Sequence, residues 1–222
     1  MRKLRMTPGL EFAVVVTGAF GLFIAISLLA FLHPRKGLLL ADVSLLRITI
    51  FEGVMLVVLG LFLRRRGWTL ARLTASSRWY DIFVAIALAV AAHYAYFAAW
   101  YAVADITPAL LRIAGDTRIG GSRLMPAVIV ANAVVNGLYE EVFVTAYVIT
   151  ALKERIGVTL ALNVSVAIRL LYHLNLGVAG ILMIIPMGLI FGYWYVRTHR
   201  LWPLVISHTG LVLFSLFHFA KF

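Results

Sequence analysis

Apolar residues in this chain come in long runs. They do not form the 3.6-residue stripe of a soluble helix or the strict alternation of a half-buried strand. Seven such runs lie at 10–32, 43–63, 80–103, 124–151, 158–175, 178–197 and 203–220. Most of them reach the roughly 18–20 apolar residues needed to cross a bilayer as helix. Polar and breaker residues fall between them, in "HPRKG", "RRRGW", "ITPALLRIAGDTRIGGSR", "KERIG", "NLG" and "THRLWP". The pattern predicts an all-α, polytopic transmembrane helical bundle of about seven spans. The long 104–123 connection is expected to hold a short interfacial helix. The first run follows "MRKLRMTP" without an A-x-A cleavage site, so it reads as a retained helix. No soluble module or repeat stands out, and residues 1–222 read as one integral membrane domain.

Composition supports this pattern. Hydrophobic residues make up 63% of the 222, and mean hydropathy is +0.99. The net charge of +11 does not signal nucleic acid, because the basic residues cluster in the loops between apolar runs and no basic soluble module is present. With the N-terminus inside, the inner segments carry 12 Lys and Arg and the outer segments 6, which predicts a cytoplasmic N-terminus. A prokaryotic inner membrane is the expected location. There is no cysteine, which excludes thiol catalysis, thiolate metal sites and disulfides.

Within the spans, charge is rare and so becomes informative. Glu52, Glu140, Glu141 and Arg169 each carry an insertion cost of roughly 2.5–3.5 kcal/mol at a helix centre. His93, His173 and His208 also lie at membrane depth, and His218 lies near the end of the last span. Glu140 lies fifteen residues above Arg155, and His173 fifteen above Val158, so both sit roughly 22 Å above the inner ends of their helices. A carboxylate and an imidazole at one level can hold a water, the first as general base and the second orienting it and later carrying a proton. His208 is only five residues past Pro203, so the "HLNLGVAG" turn must be sunk into the protein, or the helices tilted, to bring it level.

Adjacent helix residues point about 100° apart, so Glu140 and Glu141 are expected to differ in role. Two carboxylates this close share a proton, or one pairs with a cation. Arg169 is the obvious cation, one turn before His173, with Glu141 or Glu52 as its partner. Glu52 pairing with Arg169 as structural glue stays open. For His93 and His218 the plain reading is a helix contact. The aromatic run "FGYWYV" reads as an interfacial belt.

The spacing of "EEVFVT", "RLLYH" and "LWPLVISHTGLV" over roughly 124–220 resembles the CAAX-protease and bacteriocin-processing (CPBP, or Abi) family of intramembrane proteases, related to the Ras-converting CAAX endopeptidase. That family's signature is a Glu-Glu-x-x-x-Arg helix, a Phe-x-x-x-His helix and a His-x-x-x-Asn/Asp helix. The resemblance implies a CPBP-like core at 124–220, with 1–123 as N-terminal helices and loop. It also implies a metal-independent glutamic protease, with no cofactor and no bound metal, that cuts a membrane-associated peptide or protein. By the same resemblance, Glu140 and His173 activate the water, Glu141 orders the site, and His208 stabilises the oxyanion. The chain departs from the signature at three places: the motif's Arg is Thr145, its Phe is Arg169 and its Asn/Asp is Val212. The first two read as one exchange, with Arg169 supplying from the facing helix the partner that Thr145 lacks. Thr209, Ser207 or Asn136 is the candidate replacement donor for the third. A catalytically silent member, acting as immunity factor or scaffold, is the alternative that Thr145 and Val212 favour. An ion-coupled carrier would show paired half-repeats, and a zinc hydrolase H-E-x-x-H; neither is present.

Overall fold

The computed structural model describes residues 6–33, 42–106 and 125–219. The basic N-terminal residues 1–5 and most of the 104–123 connection, where the interfacial helix is expected, lie outside them. The described residues are helical, without a strand. Seven main helices form: α1 (Pro8–Leu32), α2 (Asp42–Arg65), α3 (Asp81–Ile106), α4 (Pro126–Ile156), α5 (Val158–Leu171), α6 (Gly177–Thr198) and α7 (Trp202–Phe219). A one-turn helix, Leu70–Leu73, joins α2 to α3.

Local chemistry explains the starts and stops. Thr7 caps α1, its side chain accepting from the Leu10 amide, with Pro8 at the first helical position. Pro126 opens α4, and the Met125 amide in front of it donates to Asp42 Oδ1 at 2.9 Å, tying the starts of α2 and α4 together. Gly157, at φ 83°, lets α4 turn sharply into α5.

α1, α2, α3, α4 and α6 are long and apolar enough to cross a membrane, whereas α5 and α7 are shorter apolar helices. At 14 residues, α5 rises only about 21 Å. The protein is therefore an integral membrane helical bundle, with two helices that stop short. α4 is its central post: half of its most apolar window is buried, against 11–22% in α1, α2 and α3. α4 packs against α2, α5 and α7, while α6 and α7 lean on α3. The outer faces are apolar, with Leu29, Leu32, Val57, Phe83 and Ile86 exposed as lipid contact demands.

At the Arg-rich end the connections are cross-tied. Arg200 is paired with Asp81, both buried. The Leu201 amide donates to Thr74 Oγ1, and the Ala75 amide to the His199 carbonyl.

Candidate active site

Glu140 closes the first α-helical part of α4, and Glu141 opens a π-helical stretch, Glu141–Tyr147, before the α-helix resumes at Val148. A π-turn disturbs the regular i→i−4 ladder and re-aims the side chains around it. A hydroxyl from a neighbouring helix supplies an extra donor to a carbonyl of this stretch: Ser165 donates to the Val144 carbonyl at 2.6 Å. The two adjacent carboxylates do not diverge as on a regular α-helix, because both reach the same guanidinium. Arg169 Nη1 lies 3.2 Å from Glu140 Oε2, and Nη2 donates to Glu141 Oε1 at 2.7 Å. All three side chains are nearly inaccessible to solvent.

The pairing of Arg169 with Glu141 is the one expected from the exchange. Thr145 makes room for it and joins it: Arg169 Nη2 donates to Thr145 Oγ1 at 3.0 Å, and that hydroxyl donates to Glu141 Oε2 at 2.7 Å. Glu52 is not the partner of Arg169. Its Oε1 accepts instead from Asn136 Nδ2 at 2.9 Å, because Arg169 is already held by the two carboxylates of α4.

His173 does not sit within a span. α5 ends at Leu171, and His173 stands on the turn that follows, before the 3₁₀ segment Leu174–Leu176 and Gly177 at φ 62°. The last carbonyls of α5 have no intrahelical partner, and His173 Nδ1 lies 3.0 Å from that of Arg169. A carbonyl can only accept, so Nδ1 carries a proton, and in the neutral ring Nε2 keeps its lone pair. Nε2 points at Glu140 Oε1, 3.9 Å away.

His208 reaches the two glutamates although it lies near the start of α7. Asn175 is anchored on α1, its amide donating to Ser27 Oγ at 2.9 Å, and Ser27 is buried. α7 in turn comes very close to α4. A methyl group at Gly137 would lie 2.5 Å from Thr209 Oγ1 and 3.0 Å from the Thr209 amide, so only glycine permits the approach. One turn on, His208 Nδ1 meets Glu141 Oε1 at 2.7 Å, with Nε2 3.9 Å from Glu140 Oε2.

Tyr172 was not singled out by sequence reasoning. Its hydroxyl donates to Glu140 Oε2 at 2.7 Å, and its ring stacks on Phe20 of α1 at 4.8 Å. The only hint was a polar-tipped aromatic next to His173. Of the three candidate donors, Asn136 touches Glu140 Oε1 at 3.1 Å. Thr209 abuts Gly137, and Ser207 Oγ is buried without a hydrogen-bond partner. Val212 packs beside a small apolar cluster of Leu45, Ile129 and Leu216. His93 and His218 lie among aromatic rings, His93 beside Phe97 and His218 stacked on Phe214.

Glu140, Glu141, Arg169, Tyr172, His173 and His208 thus converge where α4, α5 and α7 meet. Glu140, Glu141 and His208 are buried, while His173 is 21% exposed and forms the open side. Among the described residues no group of three carboxylates, imidazoles or thiols has metal-binding geometry.

Residues 122–214 match the family described as "Type II CAAX prenyl endopeptidase Rce1-like". Over this segment the chain is similar to that family. The match takes in both glutamates, Arg169 and both histidines, and leaves α1, α2 and α3 outside it. Neither the curated proteins nor the solved structures yield a match.

Proposed function

We propose that the protein is an intramembrane glutamic endopeptidase in which Glu140 and His173 activate a water to cleave a membrane-associated peptide or protein. One observation carries the reading. Glu140 Oε2 is held by Arg169 and Tyr172, while Oε1 faces the lone-pair nitrogen of His173 across 3.9 Å at the open side of the cluster. Oε1 and His173 Nε2 are both acceptors, so a water beside them donates a proton to each. Its oxygen lone pair is then directed away from them, towards a substrate carbonyl.

In the proposed reaction the water oxygen bonds to the scissile carbonyl carbon as Glu140 takes its proton. The carbonyl oxygen becomes an oxyanion, which His208 Nε2 stabilises. Glu141, accepting from His208 Nδ1, holds that imidazole in place. When the C–N bond breaks, Glu140 returns its proton to the leaving nitrogen, and the second water proton passes to His173 Nε2 as the new acid becomes a carboxylate. Tyr172 and Arg169 keep Glu140 aimed throughout. Arg169 already neutralises part of the paired negative charge, which lessens the pull on a divalent metal and favours water activation by the side chains alone.

The test uses purified protein and an internally quenched farnesylated CAAX peptide. Glu140→Gln and His173→Ala should each lower kcat by at least about 10²-fold while thermal stability is kept. A chelator should leave the rate unchanged. Full activity in either variant would remove the pair, and loss with chelator reversed by Zn²⁺ would favour a metal enzyme. The silent-member alternative predicts no cleavage that depends on Glu140 at all.

A further inference from the structure

α2 lies outside the matched segment, yet it brings one carboxyl to the edge of the site. Glu52 is 3% exposed. Its Oε1 accepts from Asn136 Nδ2 at 2.9 Å, and the same nitrogen donates to Glu140 Oε1 at 3.1 Å. Glu52 Oε2 is buried with no hydrogen-bond partner. A carboxyl placed so is costly, and holding α2 against α4 does not require one. About one turn earlier, Thr49 Oγ1 and Asn132 Nδ2 join the same two helices at 3.1 Å with neutral groups alone.

We propose that Glu52 is a positioning residue for Glu140, acting through Asn136. A primary amide carries both its N–H donors on one nitrogen and both its lone pairs on the oxygen. With Glu52 Oε1 accepting one N–H, the nitrogen is kept on this side and its second N–H meets Glu140 Oε1. Without Glu52, the amide is free to turn its carbonyl oxygen to Glu140, where lone pairs repel. Oε1 is the oxygen that faces His173 Nε2. Its direction decides whether the water is held between base and imidazole, and a small misplacement there costs rate steeply. The inference rests on Glu140 acting as the base.

The experiment compares Glu52→Leu, Glu52→Gln and Asn136→Leu in the full chain, reconstituted in lipid nanodiscs. An apolar residue at 52 suits a membrane helix, so Glu52→Leu should fold. Infrared difference spectra against Glu140→Gln locate the Glu140 carboxylate stretch, a readout that needs no substrate. The inference expects this band to shift in Glu52→Leu and Asn136→Leu alike, and to return in Glu52→Gln, whose side-chain oxygen still accepts from Asn136. On the farnesylated CAAX peptide, Glu52→Leu should lose kcat by about tenfold or more at unchanged KM, with Glu52→Gln largely restored. An unchanged band or kcat in Glu52→Leu overturns the proposal. A Glu52→Gln protein as impaired as Glu52→Leu also overturns it, because the proton or charge of Glu52 would then matter and not its grip on Asn136. An active Glu140→Gln protein would instead bring down the reading beneath it.

Discussion

Two buried carboxylate clusters sit at different points along the helices of this bundle, and they are built differently. At the Arg-rich end, Glu11 of α1 has both oxygens taken by fixed partners: Arg66 Nε at 2.7 Å and the Trp68 indole N–H at 2.8 Å. One acid faces one base, and Arg66 is still partly exposed at 26%. Under α4, two acids share one fully buried base. There Glu140 Oε1, served by Asn136, is turned towards a half-buried imidazole. The first cluster fastens α1 to the end of α2. The second carries more acceptors than its cation can satisfy and leaves its open side towards His173, an arrangement suited to a reacting water and poorly suited to mere fastening.

The largest expected effect comes from removing the shared cation. Arg169→Leu leaves Glu140 and Glu141 uncompensated in a buried site, and breaking a buried pair costs about 3–5 kcal/mol. Resistance to thermal or detergent-induced unfolding should fall accordingly, and cleavage should vanish. A stable and active Arg169→Leu protein would erase the contrast between the clusters.

Next is the seam that brings His208 to Glu141. Gly137→Ala inserts a methyl group 2.5 Å from Thr209 Oγ1 and 3.0 Å from its amide. Overpacking of this kind costs about 1–3 kcal/mol. Parting α7 from α4 should also reduce kcat more than it raises KM, as measured in steady-state kinetics. A wild-type kcat in this variant would mean that the close approach does not serve the site.

The exchange of the arginine predicts a rescue. Thr145→Arg combined with Arg169→Phe restores the signature arrangement, with an i,i+4 pair to Glu141 on one helix. The double variant should recover much of the stability lost in Arg169→Phe alone, and a double-mutant cycle on both unfolding and cleavage measures the coupling. Additive losses would dismiss the exchange.

The smallest effect belongs to the fastening cluster. Glu11→Gln removes a charge from a pair at a partly exposed end and should cost about 1–2 kcal/mol, with cleavage within a few-fold of wild type. A collapse of activity there would show the two clusters to be coupled.

The helical spans were legible because the bilayer imposes a length and composition on every crossing helix, and α4 and α6 follow the predicted runs closely. The meeting of Arg169 with Glu141 was legible for a related reason: buried charge is so costly that few partners exist. The π-helical stretch was not, because Glu141–Tyr147 has the composition of an ordinary apolar helix and departs only in backbone hydrogen bonding. His173 was assigned to a helix because "YHLNLG" is apolar enough to continue one, whereas Gly177 and the grip of Asn175 on Ser27 end it early. Glu52 was offered Arg169 because both are charged; the neutral Asn136 lies one turn before Glu140 and takes that place. Glu11 drew no attention because it lies at the edge of its span.

The proposed attack by water can be followed atom by atom. In a single turnover with enzyme in excess over the farnesylated CAAX peptide in ¹⁸O-labelled water, direct attack predicts one ¹⁸O in the new C-terminal carboxylate of the product, with no label in Glu140. If Glu140 itself attacked the carbonyl and a water then hydrolysed the resulting anhydride at the Glu140 carbonyl, the first-turnover product would carry unlabelled oxygen and ¹⁸O would appear in the Glu140 carboxyl, which would contradict water activation by Glu140 and His173.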